Sequence, residues 1–273
     1  MNFKKYNRLL GFLSGFCAFI VYFLTVEPTA SYWDCAEYIS TSAKLQIGHP
    51  PGAPLFQMLG AVFSILAFEN TQIAYAINMM SVTSSALTIV FMFWSVSLLG
   101  KKILNVKSEI SSEESFKIFG AAFLTTFTFM FTDSFWFNAV EAEVYAMATL
   151  ILSVLFWLGL KWESEFENER SDKWLILISF VIGLSFGVHF MGLLAIPSIG
   201  LIYYFKKYSN FELKSFLIAN VVSVSVLLFI FKLLLPSTLK LFGYLEVFFV
   251  NDLGLPFNSG TIFSAFLVIF ILY

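Results

Sequence analysis

Charged residues are scarce in this sequence. Asp, Glu, Lys and Arg make up only 12% of its 273 residues, whereas soluble domains carry about a quarter. The formal net charge is −2, which is too small to indicate a nucleic acid or an acidic substrate as a partner. This shortage excludes an ordinary soluble domain, and the positions of the few charges become informative.

Cysteine and histidine are also rare, with two of each. Cys17 lies inside the first apolar run and Cys35 lies outside it, which argues against a disulfide between them. The sequence has no glycine-rich phosphate loop, no metal-spaced Cys/His set and no Gly-x-Ser-x-Gly elbow. These absences disfavour NTPase, zinc-enzyme and serine-hydrolase functions of the soluble type.

Apolar residues are abundant and reach 59% of the chain, with 19% aromatic. Apolar runs near or above the roughly 18 residues of a spanning helix recur along the whole length. The sequence therefore predicts an all-α, polytopic membrane protein. The apolar segments are 9–26, 53–68, 73–100, 118–132, 144–160, 174–205, 215–235 and 261–273.

The basic residues predict how these segments are oriented. Most of the 16 Lys and Arg residues fall in four clusters near the ends of apolar segments, and such clusters mark the cytoplasmic side. We therefore expect a multi-pass protein of the inner (plasma) membrane with a cytoplasmic N-terminus. The clusters are Lys4, Lys5 and Arg8; Lys101, Lys102, Lys107 and Lys117; Lys161, Arg170 and Lys173; and Lys206, Lys207 and Lys214.

All four clusters share one side only if an even number of crossings separates each from the next. Three apolar segments separate the first two clusters, so one segment must fail to cross. Segment 53–68 is the shortest of the three and follows Pro-Pro-Gly, which favours a half-inserted helix on the outer side. Segment 174–205 must cross twice, with a turn near Gly187 and His189.

Four segments then reach the outer face: 27–52 with the half-helix, 133–143, the turn at His189, and 236–260. The polar residues that topology does not explain all lie in these segments. Their convergence on one face of the membrane indicates a functional site there, facing the periplasm or outside.

The first outer loop carries two acids, a lysine and a histidine. Asp34 and Glu37 are three residues apart and share one face of a helix. They act as a general base or metal ligands at the membrane surface, or they merely face water from an amphipathic loop helix. Lys44 follows, and His49 precedes two prolines, so that its ring either faces a ligand or caps the half-helix.

A second acidic group begins the segment that starts near residue 144. Glu141 and Tyr145 are i,i+4 neighbours on a helix, whereas Glu143 points elsewhere. These acids either bind a substrate or simply complement the dipole of the helix N-terminus. A buried Glu143 would require a partner.

His189 lies among apolar residues and glycines. An imidazole within a membrane protein interior needs a hydrogen-bond partner, which favours a functional role over a core position. The neighbouring Gly183 and Gly187 are four residues apart, a spacing that is expected to serve close helix packing.

The order of these features resembles the GT-C membrane glycosyltransferases, which include protein O-mannosyltransferases and aminoarabinose transferases. Four ordered motifs are more closely similar to a bacterial family related to the vertebrate O-mannosyltransferase transmembrane protein 260. The resemblance extends from about residue 9 to residue 205. The motifs are "WDCAEYI", "GHPPGAPLF", "NAVEAEVYA" and "GLSFGVHF".

The resemblance implies one GT-C-like helical bundle over residues 1–273, with interfacial helices in its first outer loop. Members continue into further helices and a soluble outer domain, so we expect this chain to be the N-terminal part of a longer unit. The resemblance places the catalytic aspartate at Asp34. It also implies a polyprenyl-phosphate sugar donor, with mannose as the expected sugar, a Ser/Thr or lipid hydroxyl acceptor, and inversion at the anomeric carbon.

The residues suit this chemistry. One carboxylate deprotonates the attacking hydroxyl, and the leaving phosphate needs positive charge or hydrogen-bond donors, for which Lys44, His49 and His189 are the candidates. Glu37 or Glu143 would orient a donor hydroxyl or join Asp34 in holding a divalent metal. Because no compact Asp-x-Asp pair is present, we expect metal-independent transfer with no cofactor.

Two other functions fit the same residues. One is a transporter or flippase for a lipid-linked sugar, although the sequence shows no inverted repeat. The other is a non-catalytic membrane subunit of a larger envelope complex.

Overall fold

The computed structural model describes residues 2–106, 109–208 and 210–272. The fold is 78% helical, and no β-strand occurs in these ranges. Four helices are long and apolar enough to cross a membrane, and a fifth crossing is added if a bent helix pair counts as one span. The prediction of an all-α, polytopic membrane protein is confirmed.

The chain divides into two compact units, Met1–Ser209 and Asn210–Tyr273. The first unit holds every residue that sequence analysis proposed for the site. Its helices are α1 (Phe3–Thr25), α2 (Cys35–Ala43), α3 (Pro54–Ser64), α4 (Ile73–Ile103), α5 (Ser112–Met130), α6 (Asp133–Ala139), α7 (Val144–Ser164), α8 (Asp172–Ser185) and α9 (Ala195–Lys207).

Small residues allow α1 to pack closely on α4, the longest single α-helix. A Cβ atom added at Gly15 would lie 2.3 Å from a methyl group of Val90, and one added at Gly11 would lie 2.2 Å from Nε1 of Trp94. Two helix backbones approach this closely only where one side lacks a side chain. Helix α4 also contacts α3, α5 and α7, whereas α8 and α9 pack on α7.

The segment predicted as a half-inserted helix is short. Helix α3 has 11 residues, which corresponds to a length of about 16 Å, whereas the hydrocarbon core is about 30 Å thick. Pro54 occupies the first turn, where its missing N–H costs nothing. Helix α3 cannot span a bilayer, as the basic clusters required.

Segment 174–205 folds as the two arms that were predicted. Helices α8 and α9 have 14 and 13 residues, and the chain reverses between them through His189 and a 3-10 turn, Phe190–Leu194. The prediction that Gly183 serves close helix packing is wrong, because no atom lies within 4 Å of a Cβ added there. Only Gly187 makes a close approach, and it does so to α3 rather than to another long helix.

The basic clusters within the first unit converge at one end of its bundle. Lys101 lies over the ring of Phe3, with Nζ 5.1 Å from the ring centre. Glu163 joins two other helix ends, because its Oε1 lies 2.9 Å from Nζ of Lys102 and 3.8 Å from Nζ of Lys206. These contacts bring together the N-terminus of α1 and the C-termini of α4, α7 and α9. Lys107 lies outside the described residues.

The second unit is built from α10 (Leu213–Leu228), α11 (Leu235–Val247) and α12 (Ser259–Leu272). π-helical turns at Phe229–Leu234 and Phe248–Asp252 extend α10 and α11 into one continuous helical stretch from Leu213 to Asp252. Segment 236–260, which was predicted to reach the outer face, is therefore helical as far as Asp252, and its side of the membrane stays a prediction. The π-helical turn that ends at Leu234 precedes Pro236, which occupies the first turn of α11, where a proline is tolerated.

Candidate active site

The first loop after α1 is fixed to the bundle by a buried amide. Asn78 of α4 is fully buried, and its Nδ2 donates hydrogen bonds to the carbonyl oxygens of Glu27 at 2.7 Å and Thr29 at 2.9 Å. The backbone N–H of Glu27 donates to the carbonyl of Val140 at 3.0 Å. The start of this loop is thereby held beside the segment that carries Glu141 and Glu143.

Asp34 and Glu37 occupy the same end of α2. Asp34 is the N-cap residue, yet its side chain makes no capping hydrogen bond, and Glu37 lies in the first turn. Trp33, directly before them, has a φ of 59°, a conformation that is uncommon for a bulky residue. The predicted shared face is present, and the Asp34 carboxylate is left free of a capping role.

His49 is held by Glu37. The Glu37 carboxylate accepts a hydrogen bond from the backbone N–H of His49 at 2.6 Å and lies 3.1 Å from Nδ1 of the ring. These hydrogen bonds lower the pKa of Glu37. Because a carboxylate can only accept, Nδ1 must carry the hydrogen. His49 thus orients its ring on Glu37 rather than capping α3, whose N-cap has no side-chain bond.

The other ring nitrogen of His49 faces Asp34. Nε2 lies 3.8 Å from Oδ2 of Asp34, and the two side chains are 43% and 55% exposed. This separation exceeds a direct hydrogen bond. A small polar group of a substrate can therefore reach both atoms from the solvent side.

Asp34, Glu37 and His49 are also the one group of metal-ligand type found in the described ranges, with one ligand atom of each within 4.8 Å of the others. Carboxylate oxygens and an imidazole nitrogen suit several divalent ions. Glu37, however, already accepts two hydrogen bonds from His49. The donor set can accept a metal only if that pairing is broken, so the residues fit a hydrogen-bonded site better than a metal centre.

Tyr38 links this group to the core and to the second acidic segment. Its ring packs edge-on against Phe56 of α3 at 5.2 Å between ring centres and lies 6.1 Å from the ring of His49. Burial, followed by the charges of Glu143 and Asp34, raises the pKa of Tyr38 to about 12. Its phenol is consequently a hydrogen-bond donor at neutral pH.

Glu143 reaches the same place from α7, where it is the N-cap residue. Only 5% of its surface is exposed. Burial, with the nearby charges of Asp34 and Glu141, raises the pKa of Glu143 from its ordinary value of 4.5 to about 7, although the backbone N–H groups of Val144 and Asp34 act in the opposite direction. The site therefore combines a carboxylate whose pKa is lowered, Glu37, with one, Glu143, that is about half protonated near pH 7.

Glu141 does not share a helix with Tyr145. Helix α7 begins at Val144, so the predicted i,i+4 relation between Glu141 and Tyr145 is wrong. Glu141 is 2% exposed and accepts a hydrogen bond from the hydroxyl of Ser31; burial raises its pKa. Its place is beneath the first loop, where it helps to hold that loop rather than to face a ligand.

The turn at His189 completes the site. The ring of His189 lies 5.4 Å from the ring of Tyr145, and its Nδ1 accepts a hydrogen bond from the backbone N–H of Met191 at 3.2 Å. Since Nδ1 accepts, Nε2 carries the hydrogen of the neutral ring. The carbonyl of Gly187 accepts hydrogen bonds from the N–H groups of Leu55 at 2.7 Å and Phe56 at 3.1 Å, which fixes the turn to the start of α3.

One buried apolar cluster supports all these segments. It includes residues of α2, α3, α4 and α7 together with Val188 from the turn, so each polar segment rests on the same core. The predicted convergence is therefore present for the three segments in the first unit, and 236–260 belongs to the second unit. The cluster comprises Cys35, Ile39, Ala53, Phe56, Ile77, Met80, Ala142, Val144, Met147, Ala148 and Val188.

Lys44 is a proposed site residue that lies away from the Asp34 cluster. It is exposed at the C-terminal cap of α2, at the opposite end of that helix from Asp34. Nine helical residues separate two such ends by about 13 Å. No ion pair involving Lys44 occurs among the described residues.

Sequence reasoning missed three residues that build the site: Ser31, Tyr38 and Asn78. Tyr38 follows Asp34 by four residues, so its place on the same helix face could have been read from spacing. A polar asparagine inside the long apolar run that became α4 was also a detectable signal, because such a residue needs hydrogen-bond partners. The partner of Ser31 is 110 residues away, and no local pattern indicates it.

Comparison with known proteins identifies the family of this chain. The family model described as the Protein O-mannosyl-transferase TMEM260 N-terminal domain matches residues 34–212, a range that begins at Asp34 and covers more than half of the chain. No solved structure gives a significant match.

Two curated relatives carry the same family name. The chain is 28% identical over 191 residues to a protein O-mannosyl-transferase tmem260 of Dictyostelium discoideum, covering 65% of this chain and 21% of the relative. It is 25% identical over 165 residues to the protein O-mannosyl-transferase TMEM260 of Mus musculus, covering 60% and 21%. The chain spans about a fifth of the length of these relatives, and it belongs to the TMEM260 N-terminal domain family of protein O-mannosyl-transferases.

Proposed function

We propose that this protein is a membrane glycosyltransferase of the GT-C type. It transfers mannose from a polyprenyl-phosphate donor to a Ser/Thr hydroxyl of an exported protein, with inversion, at the periplasmic face of the inner membrane. The names of its relatives support O-mannosyl transfer. The observation that carries the proposal is the meeting of Asp34, His49 and Glu143 at one end of the bundle.

Asp34 acts as the general base. Its side chain is more exposed than that of Glu37, at 55% against 39%, and it does not cap α2. An inverting transfer needs one carboxylate that takes the proton of the attacking hydroxyl on the face opposite the leaving group. Asp34 meets this need, whereas Glu37 is occupied by His49 and acts as a positioning residue.

The leaving phosphate is stabilised by hydrogen-bond donors rather than by a lysine. With Lys44 at the far end of α2, the donors near the cluster are Nε2 of His189, the phenol of Tyr38 and the protonated carboxyl of Glu143. Phosphate leaves as a stable anion, so that it needs donors but no strong acid. His49 lies beside Asp34 and contacts the acceptor hydroxyl.

An apolar cavity supports a prenyl-chain donor. A cavity of about 460 Å³ lies between α4, α7 and α9 and is lined mostly by apolar side chains with some hydroxyl groups. Thr149, on its wall, is one helical turn beyond Tyr145, and Leu194 ends the 3-10 turn that follows His189. A prenyl chain in this cavity would place its phosphate near the two rings.

The transfer is proposed to be metal-independent, because the ligand atoms of Glu37 and His49 already satisfy each other. Transfer should then continue in excess EDTA and gain nothing from added Mg²⁺ or Mn²⁺. A complete loss of transfer in EDTA that Mn²⁺ restores would assign the Asp34 cluster to a metal instead.

The decisive experiment is a transfer assay with the chain in proteoliposomes, with labelled polyprenyl-phosphate mannose and a Ser/Thr-rich acceptor peptide. Asp34→Asn is expected to lower transfer at least about a hundredfold, as expected for loss of a general base. Asp133→Asn is the matched control, because Asp133 is exposed in α6 and lies outside the cluster.

Full activity of Asp34→Asn would overturn the base assignment. Movement of the labelled donor across the bilayer without labelled peptide would support a flippase. Donor binding without transfer by the wild-type chain would support a non-catalytic subunit.

A further inference from the structure

A large cavity lies at the end of the first unit opposite the candidate active site. Its volume is about 1140 Å³, and it is formed by the N-terminus of α1, the C-termini of α4, α7 and α9, and the residues that follow α7. Helix α4 separates the two sites: Asn78 anchors the first loop near one end and Lys101 lines the cavity at the other. The 31 residues of α4 correspond to about 46 Å, more than a hydrocarbon core.

The cavity is strongly basic. Six basic side chains and two glutamates line it. Glu163 pairs with Lys102 and Lys206, and Glu165 pairs with Lys161, so the two acids are occupied by half of the bases. The basic residues of the lining are Lys4, Arg8, Lys101, Lys102, Lys161 and Lys206.

Three of these bases have no acidic partner. Among the residues that the structure describes, no carboxylate lies within 4.0 Å of Lys4, Arg8 or Lys101. Lys4 and Arg8 are i,i+4 neighbours and lie on one face of α1. A lysine and an arginine that face one cavity without a counter-charge suit a phosphate group, which an arginine can bind in bidentate fashion.

Aromatic and apolar groups surround the charges as they do at a bilayer interface. The rings of Trp94, Trp157 and Trp174 line the cavity and follow one another at 5.7 and 6.3 Å between centres. Tryptophan is enriched at the level of lipid headgroups. On α1, Leu9 and Phe12 are 59% and 52% exposed, and they offer an apolar surface beside the charges along which acyl chains can lie.

We propose that this cavity binds the phosphate headgroup of an anionic membrane lipid, with Lys4 and Arg8 as the main contacts. Basic pockets between spanning helices suit such headgroups, because the phosphate meets fixed cations while the acyl chains remain in the bilayer. The site is distinct from the proposed active site and does not depend on the transferase activity.

The test measures lipid binding by native mass spectrometry of the purified chain, with titrated phosphatidylglycerol or phosphatidylcholine. Wild-type protein is expected to bind phosphatidylglycerol with the higher affinity. The double variant Lys4→Gln with Arg8→Gln is expected to lose about tenfold in that affinity. Lys5→Gln with Lys207→Gln is the matched control, because it also removes two charges from neighbouring positions that do not line the cavity, and it should keep the wild-type affinity.

Equal losses in the two double variants would overturn the proposal, because they would show attraction to the general surface charge. No loss in either variant would also overturn it. If millimolar inorganic phosphate displaced phosphatidylglycerol from the protein, the cavity would be assigned to a soluble anion instead. Lys101→Gln, which leaves α1 unchanged, gives a second check and should also weaken phosphatidylglycerol binding.

Discussion

At the scale of single residues, the site depends on carboxylates placed in different environments. Glu37 is partly exposed and accepts two hydrogen bonds from His49, which lower the pKa of Glu37. Glu143 is buried beside other acids, which raises its pKa to about 7. Groups whose pKa values are pushed apart can serve as acceptor and donor at the same pH. This contrast places an ionised carboxylate, which can only accept hydrogen bonds, beside one that can also donate a hydrogen bond near neutral pH.

The raised pKa of Glu143 predicts how stability depends on pH. Below pH 4.5 the carboxyl is protonated in both the folded and the unfolded state, and the folded state keeps its proton up to about pH 7. The free energy of unfolding should therefore fall as the pH rises from 4.5 to 7. Glu143→Gln cannot ionise, so its melting temperature relative to wild type should rise across this window.

Melting temperatures of the purified protein and of Glu143→Gln between pH 4 and 8 check this prediction. Glu167→Gln, which removes an exposed carboxylate at the other end of the bundle, is the control. Asp34→Asn should move the window to lower pH, because it removes a charge that opposes ionisation of Glu143. A difference between wild type and Glu143→Gln that stays constant from pH 4 to 8 would contradict the assignment.

At the scale of elements, the turn between α8 and α9 positions the ring of His189 through backbone contacts. The carbonyl of Gly187 accepts two hydrogen bonds from the start of α3. A Cβ added at Gly187 would lie 2.7 Å from Cβ of Leu55 and 3.2 Å from its backbone nitrogen. The turn and α3 therefore hold each other, and this contact sets the position of His189.

Gly187→Ala is expected to destabilise the protein by about 1–3 kcal/mol, as overpacking of a close contact does. It should also lower transfer, because His189 moves with the turn. Gly183→Ala is the matched control: Gly183 lies in α8 with open space around it, where alanine should be neutral or slightly stabilising. Thermal melts and the transfer assay measure both effects. Equal melting temperatures for the two variants would show that the contact with Leu55 is not needed.

At the scale of the whole first unit, the acidic and basic sites occupy opposite ends of one helical bundle. Positive charge marks the cytoplasmic side, so the proposed orientation places Glu163 and its lysines inside and Asp34 outside. The apolar length of α4 between the two ends is sufficient to cross the membrane. This arrangement predicts that each end reacts only from its own side.

Cysteine labelling in intact cells tests that orientation. In a variant in which Cys17 and Cys35 are replaced by alanine, Ala30→Cys in the first loop should react with an impermeant maleimide added outside. Glu167→Cys, in the exposed turn after α7, should react only after the membrane is permeabilised. The reverse pattern would invert the proposed topology, and labelling of both from outside would contradict a membrane-spanning α7.

The sequence by itself determined the membrane class, the short helix α3 and the gathering of the first unit's lysines at one end of its bundle. These properties follow from local quantities: the length of an apolar run, a proline pair before a short helix, and the charge at the end of each run. The four ordered motifs together likewise indicated the family.

Only the tertiary structure decided which side chains form the site. Glu37 and His49 are 12 residues apart, and Ser31 and Glu141 are 110 apart, so no local period relates them. Lys44 lies apart from the predicted group because it is at the C-terminal end of α2, whereas Asp34 is at the N-terminal end. The pKa of Glu143 likewise depends on burial and on a charge from another segment. Burial and proximity arise from packing, and for this reason the roles of these carboxylates could not be read from the chain alone.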